Sequence, residues 1–268
     1  MPGNLAAYST EIPLLNSAVY KKMPELFRSG KGMAYGTYPG FNSFMEELAI
    51  AKHNSSLLGF IKRNPVLHEK LQEGGMRVLD LGCGSGVATR LMAREYPKSQ
   101  FVGIDIDETA INVASKAVGE LSNIEFVMKD AVDLTDGELG DFDYATAFDA
   151  VHDLNHPEEV VKGVVSVLTK RKGTFSAVDV QAQSDIRGNV GSTMSGFAYA
   201  VSLFYCMPVG LGVDGKGKGF GMMWGQDKAL KLFRECGFKD VQVKEIEDDP
   251  FNVEYRCQVE PEAATDFR

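Results

Sequence analysis

A run of alternating glycines is the first part of the sequence that could do chemistry. Asp80 is followed by Gly82, Gly84 and Gly86. A glycine turn between a strand and a helix lets backbone N–H groups and the helix N-terminus approach a ligand closely. A dinucleotide site favours Gly-x-Gly-x-x-Gly, and a carboxylate beside it is a poor neighbour for pyrophosphate. The pattern therefore suits a ligand with a cationic end, although an ordinary glycine-rich turn is also compatible with it.

Two more acidic residues follow at the ends of β-like runs. Asp105, followed by Ile106, lies 21 residues after Gly84, where a carboxylate can accept hydrogen bonds from both ribose hydroxyls. Dinucleotide-binding proteins share this feature, so it indicates a nucleoside and no more. Asp130, followed by Ala131, could accept from an adenine amino group. Taken alone, a carboxylate such as Asp130 is more often a solvated loop acid.

A third cluster of polar residues leaves the fourth β-like run. Phe148 and Asp149 end that run, and His152 and Asp153 follow three residues later. Ligands of open α/β sheets bind at the carboxyl ends of the strands, so these side chains are expected near the reacting atoms. His152 could act as a general base together with Asp149, since imidazole titrates near neutral pH. The alternative is that His152 caps or packs against the next helix.

The elements that must position these residues alternate between strand and helix from residue 75 onward. This alternation predicts a doubly wound, mostly parallel α/β sheet of seven strands. Helices are expected at 86–96, after Asp107, from Pro157 to Gly173, and at 226–236. The predicted strands are 76–81, 100–104, 124–129, 144–148 and 174–180, with a terminal pair at 241–247 and 252–259.

Two regions fall outside this alternation and are expected to cover the site. Residues 1–72 form an N-terminal helical extension, and residues 73–268 form the sheet domain, with a lid insertion at 181–223. In the insertion, Phe197 belongs to an apolar stripe at helical spacing, which is either core or a pocket wall. A glycine-rich loop then leads to Trp224, which we also expect near the substrate.

Composition limits the classes of partner and compartment. The net charge of −9 makes nucleic acid an unlikely substrate in the absence of a local basic groove. The four cysteines form no Cys-x-x-Cys pair, so we expect no metal site and a reducing compartment, the cytoplasm. Residues 189–213 lack charge, but their many glycines and serines argue against a membrane span.

Taken in order, these motifs resemble those of class I S-adenosylmethionine-dependent methyltransferases over about residues 75–260. The resemblance implies that Asp80 and the three glycines contact the methionine part of S-adenosylmethionine, Asp105 the ribose and Asp130 the adenine. Ile106, Ala131 and Phe148 are expected to complete this cofactor site.

Further motifs are similar to a group of bacterial and animal small-molecule methyltransferases. These are Phe27-Arg-Ser-Gly-Lys-Gly, Tyr38-Pro-Gly-Phe, Val151-His-Asp-Leu-Asn-His-Pro, Met207-Pro-Val and Met223-Trp-Gly. The resemblance implies that Tyr35, Tyr38 and Phe41 fold over the cofactor mouth. Such relatives carry an N-terminal winged-helix module that generally serves dimerisation. We expect this chain to begin after that module, so a homodimer stays open.

The expected function is methyl transfer to a small, partly apolar acceptor on sulfur or oxygen, with alignment and exclusion of water as the main catalytic effects. A thiol acceptor needs little base catalysis, whereas a phenol or carboxylic acid would depend more on His152. Two alternatives stay open. One is an N-methyltransferase of a metabolite or protein side chain, and the other is a non-catalytic binding subunit with the same fold.

Overall fold

The structure, a computed structural model, describes residues 5–247 and 249–260, with side chains from residue 8 onward. Its centre is a seven-stranded sheet in the order β3-β2-β1-β4-β5-β7-β6. Strand β7 runs antiparallel to both of its neighbours, β5 and β6, while the other pairs are parallel. The strands are β1 (Arg77–Leu81), β2 (Gln100–Asp105), β3 (Ile124–Met128), β4 (Tyr144–Phe148), β5 (Thr174–Val180), β6 (Asp240–Glu245) and β7 (Asn252–Gln258).

This sheet confirms the predicted fold class, including the antiparallel terminal pair, and the strand boundaries differ from those expected by at most two residues. From β1 the sheet extends to β2 and β3 on one side and to β4 and β5 on the other. The crossovers on the two sides leave the sheet on opposite faces, which creates a crevice between β1 and β4. All the acidic motifs of the sequence lie at that edge.

Helices cover both faces of the sheet and its carboxyl edge. Asp107 caps α6, as expected, because its Oδ1 accepts from the backbone N–H groups of Thr109 and Ala110. The helices are α1 (Glu11–Val19), α2 (Met23–Ser29), α3 (Phe41–Lys62), α4 (Pro65–Glu73), α5 (Val87–Glu95), α6 (Glu108–Lys116), α7 (Pro157–Thr169), α8 (Ser195–Val201), α9 (Met207–Leu211) and α10 (Gln226–Glu235).

The residues that cover the site form a hydrophobic cluster of their own. Leu15 and Val19 of α1 pack with Phe41 of α3 and with Tyr205 and Val209 of the insertion. The apolar stripe of the insertion is helical, but a π-helical turn at Ser202–Cys206 separates α8 from α9. Such turns occur often at functional sites. The N-terminal helices and the insertion thus form one joint cover over the sheet.

The uncharged stretch at 189–213 is divided among these short helices. Within the described part of the chain, no helix combines the length and the apolar character that crossing a membrane requires.

The glycine loop yields a prediction about stability. Gly86 has a φ of +72°, and a Cβ added there would lie 2.3 Å from the Phe126 ring, so Gly86→Ala combines backbone strain with a steric clash. Gly84, with a φ of +54° and nothing within 4 Å of an added Cβ, provides the matched control. We expect Gly86→Ala to lower the free energy of unfolding in urea by about 2–3 kcal/mol and Gly84→Ala by about 1 kcal/mol. Equal losses would contradict the proposed packing under Gly86.

Candidate active site

The glycine loop is held open by the end of the neighbouring strand. Gly82, Gly84 and Gly86 all have positive φ values, between 54° and 72°. The Gly84 N–H donates to Asp105 Oδ2 over 2.8 Å, and the Asp107 N–H donates to Asp105 Oδ1 over 2.9 Å. Asp105 therefore fixes the conformation of the glycine loop, which the sequence predicts to bind a ligand. Its expected contact with ribose stays a prediction. Burial raises the pKa of Asp105 above its usual value.

Asp80 lies beneath this loop and is almost fully buried. Its two carboxylate oxygens accept from the hydroxyls of Thr89, at 2.5 Å, and Thr146, at 2.9 Å. Burial raises the pKa of Asp80 to about 6, and the two threonine hydrogen bonds oppose the rise. A cationic group in the cavity above would stabilise the ionised form. The contact between Asp80 and such a group stays a prediction.

A cavity of about 630 Å³ opens above the glycine loop and extends along the ends of β1, β2 and β4. Ile106 at its wall is 60% exposed, which leaves a large apolar side chain uncovered next to Asp105. An adenosine group fits such a wall, since its base is apolar on both faces and its ribose hydroxyls can donate to a carboxylate. The candidate cofactor residues that line it are Asp80, Gly82, Gly84, Asp105, Ile106, Asp130, Ala131 and Phe148.

A second cavity, of about 490 Å³, adjoins the first on the other side of the β4 exit. Tyr205 and five other residues line both cavities, so the two meet there. The other five are Met45, Leu48, Lys52, Asp149 and Asp153. His152 lines the second cavity but not the first. The exit of β4 therefore lies between two adjacent cavities.

His152 is held between two carboxylates. Its Nδ1 donates to Asp179 Oδ1 over 2.7 Å, and its Nε2 lies 3.3 Å from Asp153 Oδ1. Burial disfavours the imidazolium, but the charges of Asp179 and Asp153 outweigh it, so the pKa of His152 lies well above its usual value. The Asp179 hydrogen bond fixes the orientation of the ring and places Nε2 beside Asp153, a residue that lines both cavities.

Cys206, from the π-helical turn, approaches the same point. One ligand atom from each of His152, Asp153 and Cys206 lies within 4.8 Å of the others, so these three could hold a divalent metal ion, which the sequence gave no reason to expect. Burial and the nearby Asp153 carboxylate raise the pKa of the Cys206 thiol to about 12. Without a metal ion the thiol is therefore protonated at neutral pH.

Lys52 of α3 fixes the other side of the junction. Its Nζ lies 2.6 Å from Asp149 and 3.3 Å from Asp249. Asp149 has a φ of +50°, which is costly for a non-glycine residue and is typical of functional sites. Although burial lowers the pKa of Lys52, the two carboxylates raise it above its usual value. Asp149 is thus engaged in an ion pair at the junction of the two cavities.

The expected lid residues divide into two groups. Tyr35 lines the first cavity, while Phe41 and Phe197 line the second. Tyr38 lines neither, because its hydroxyl donates to the Phe204 carbonyl inside the cover. Trp224 is fully buried in the main core and stacks on Phe220, so the structure places it away from both cavities.

Several side chains of the site were not found by sequence analysis. Asp179 had a usable signal, because a charge inside the apolar strand β5 requires a partner. Lys52 and Asn42 gave none, since polar residues on a long helix are ordinary. Asn42 donates to Asp107 Oδ2 over 2.8 Å and ties α3 to the edge of the first cavity.

These features define an α/β protein with a cavity at the switch point of its sheet and a second cavity beside it. Residues 72–237, more than half of the chain, match the family model described as a methyltransferase domain, so the chain belongs to this family. The family uses S-adenosylmethionine as the methyl donor.

Individual relatives support the same family. The ubiquinone biosynthesis O-methyltransferase of Acinetobacter baylyi is 28% identical over 122 residues, 44% of this chain and 50% of that protein. The chain spans half or less of the curated relatives it matches. An O-methyltransferase family protein from Burkholderia thailandensis has a TM-score of 0.63 at 17% identity, covering 95% of this chain and 71% of that one. Human N-acetylserotonin methyltransferase, solved with S-adenosylmethionine, has a TM-score of 0.59 at 15% identity, covering 96% and 71%. At these identities the structural likeness concerns the fold.

The position of Asp105 predicts its contribution to donor binding. Asp105→Ala should weaken the binding of S-adenosylmethionine, measured by calorimetry, by about 1–3 kcal/mol, because the ribose hydroxyls would lose their acceptor. Asp133→Ala, an exposed carboxylate on the helical turn after β3, provides the control and should bind the donor as the wild type does. Unchanged affinity of a folded Asp105→Ala protein would remove Asp105 from the site.

Proposed function

We propose that this chain transfers a methyl group from S-adenosylmethionine to a small, partly apolar acceptor, on oxygen or sulfur. The observation that supports it best is the contact between two cavities at the exit of β4, where Asp149 and Asp153 line both. The donor would occupy the cavity above the glycine loop, and the acceptor the cavity that contains His152.

Each part of the donor would bind to its own set of residues in the first cavity. Asp80 and the glycine loop would hold the methionine end, Asp105 the ribose, and Asp130 with Ile106, Ala131 and Phe148 the adenine. S-adenosylmethionine supplies a methyl group on a positively charged sulfonium. The carboxylates at this edge of the sheet favour a cation there, since opposite charges attract strongly in a poorly hydrated site.

The main catalytic effect would be alignment. Tyr35 and Phe41, from the N-terminal region, contact Tyr205 of the insertion, with ring centroids 6.0 Å and 4.1 Å apart respectively. This cover would hold the acceptor at the junction and exclude water, and well-oriented reactants need much less activation than free ones.

His152 would remove the proton of a hydroxyl acceptor at Nε2. Asp179 keeps the proton on Nδ1 and stabilises the imidazolium that forms. Because the pKa of His152 is raised, the neutral base is scarce at neutral pH and becomes more abundant as the pH rises. An acceptor that enters as an anion would instead pair directly with the imidazolium.

The acceptor class can be tested with methyl-labelled S-adenosylmethionine. The labelled donor and the protein are incubated with phenols, thiols, carboxylic acids, amines and transfer RNA, and the labelled product is identified. We expect transfer to a small phenol or thiol. Transfer to RNA alone, or to none of the panel by a protein that binds the donor, would contradict this proposal. The cytoplasmic location and a homodimer stay predictions.

The role of His152 predicts a separation of binding from turnover. His152→Ala should keep the affinity for S-adenosylmethionine, because the side chain does not line the donor cavity, and should slow methylation of a phenol by about 10²–10³-fold. Turnover at the wild-type rate would remove His152 from the mechanism. A metal ion bound to Nε2 would prevent that atom from accepting a proton. If His152 is the base, the site works without a metal ion, and we expect chelators to leave turnover unchanged.

Asp179 predicts a shift in the pH profile. Asp179→Asn keeps an acceptor for Nδ1 but removes a negative charge, so the pKa of His152 falls. With a phenol as acceptor, the rising limb of kcat/KM should move to lower pH by about 1–2 units, and the maximal rate should drop because the base is weaker. An unshifted limb would show that His152 is not the group that titrates.

A further inference from the structure

The second cavity contains a carboxylate that the proposed methyl transfer does not use. Glu11, the first residue of α1, lines this cavity and is only 4% exposed. Its Oε2 has no hydrogen-bond partner in the described part of the chain. Buried carboxylate oxygens in folded proteins are nearly always hydrogen-bonded or paired, so this one is open to a partner that the described residues do not supply.

The positive charges of the cavity do not supply that partner. Each cationic side chain in its wall already lies between two carboxylates: Lys52 between Asp149 and Asp249, and His152 between Asp179 and Asp153. Glu11 takes part in no ion pair among residues 8–247 and 249–260. Among the described residues of the wall, the acidic groups thus outnumber the basic ones, and Glu11 is the carboxylate that has no cation beside it.

The rest of the wall suits an organic cation. The ring of Tyr8 packs edge-on against Phe197, with centroids 5.7 Å apart, and lies 6.5 Å from the ring of Phe251. All three residues line the same cavity as Glu11. Aromatic faces attract ammonium groups, and the attraction is stronger where water is excluded.

We propose that Glu11 binds a protonated amine of the acceptor, so that the substrates of this site are small, partly apolar ammonium compounds. This inference rests on the proposed function, whose acceptor cavity it specifies. An ammonium nitrogen has no lone pair to attack a methyl group. The methylated atom is therefore a hydroxyl oxygen or a sulfur elsewhere in the same molecule, within reach of His152, while Glu11 sets which molecules enter.

Burial, together with the charges of Asp149 and Asp153, raises the pKa of Glu11 to about 7. The carboxylate is therefore only partly ionised near neutral pH in the free protein. A bound ammonium group would stabilise the ionised form and lower that pKa again. Amine binding should accordingly strengthen as the pH rises through 7.

Binding of matched ligands tests the proposal directly. The protein is saturated with S-adenosylhomocysteine and titrated in a calorimeter with tyramine, N-acetyltyramine and 4-hydroxyphenylacetic acid. Two further pairs follow, benzylamine with N-acetylbenzylamine and phenethylamine with N-acetylphenethylamine. We expect the amines to bind about tenfold or more tightly than their neutral or anionic counterparts. Glu11→Gln should abolish this preference, and Glu25→Gln, an exposed acid of α2, should keep it. The proposal is overturned if no amine binds more tightly than its counterpart, or if Glu11→Gln still binds the amines more tightly.

A second measurement needs no ligand. The carboxyl pKa of Glu11 is about 7 in the folded protein against an ordinary value of 4.5, so the wild type loses stability as the pH rises from 4.5 to 7. Glu11→Gln avoids this loss and should melt at a higher temperature than the wild type above pH 7, with the difference disappearing below pH 4.5. The other titratable groups that act on Glu11 or share its wall, Tyr8, Lys52, Asp149, His152 and Asp153, are present in both proteins. A lower melting temperature for Glu11→Gln above pH 7 would show that Glu11 has a structural role.

Failure of this inference can be told apart from failure of the proposed function. Binding of S-adenosylmethionine and methylation of a neutral phenol without preference for amines would overturn the role of Glu11 and leave methyl transfer standing. Absence of donor binding would overturn the proposed function, whereas the melting experiment would still report on the charge of Glu11.

Discussion

The structure depends on how it stabilises a row of carboxylates at one edge of a sheet. Because β1, β2, β4 and β5 are parallel neighbours, Asp80, Asp105, Asp149 and Asp179 meet at their carboxyl ends. Carboxylates that lie at one edge of a sheet destabilise the fold by repulsion unless each of them has a partner. Here each partner differs in kind: threonine hydroxyls for Asp80, backbone N–H groups for Asp105, a lysine for Asp149 and a histidine for Asp179. The same arrangement prepares the edge for a cationic methyl donor.

The N-terminal helices complete this edge, and they do so through charge as well as apolar packing. Lys52 joins α3 to the exit of β4, Asn42 joins it to the cap of α6, and Glu11 brings a carboxylate into the second cavity. The cover and the site are therefore coupled, because the side chains that close the cavities also set their electrostatics.

The fold was largely predictable from the sequence because alternating strand and helix patterns are local signals. Chain order after a strand also sufficed to predict that the glycine loop, Asp105 and Asp130 lie together at one edge of the sheet, whereas their contacts with the donor stay predictions. Contacts between distant segments were not predictable: Lys52 reaches Asp149 across 97 residues, and Tyr38 and Trp224, which look like lid residues by position, are occupied by packing inside the protein. Asp149 was expected to act in catalysis, but it is engaged in an ion pair with Lys52, and the proposed function assigns the base to His152 alone.

The central claim is that donor and acceptor cavities meet at the exit of β4. A crystal structure of the protein with S-adenosylhomocysteine and a phenolic amine tests it most directly. The account predicts the ribose at Asp105, the sulfur facing the junction of the two cavities, the phenol oxygen beside His152 Nε2 and the ammonium group at Glu11. Nucleoside density away from the glycine loop, or an acceptor bound outside the cavity of His152, would contradict it.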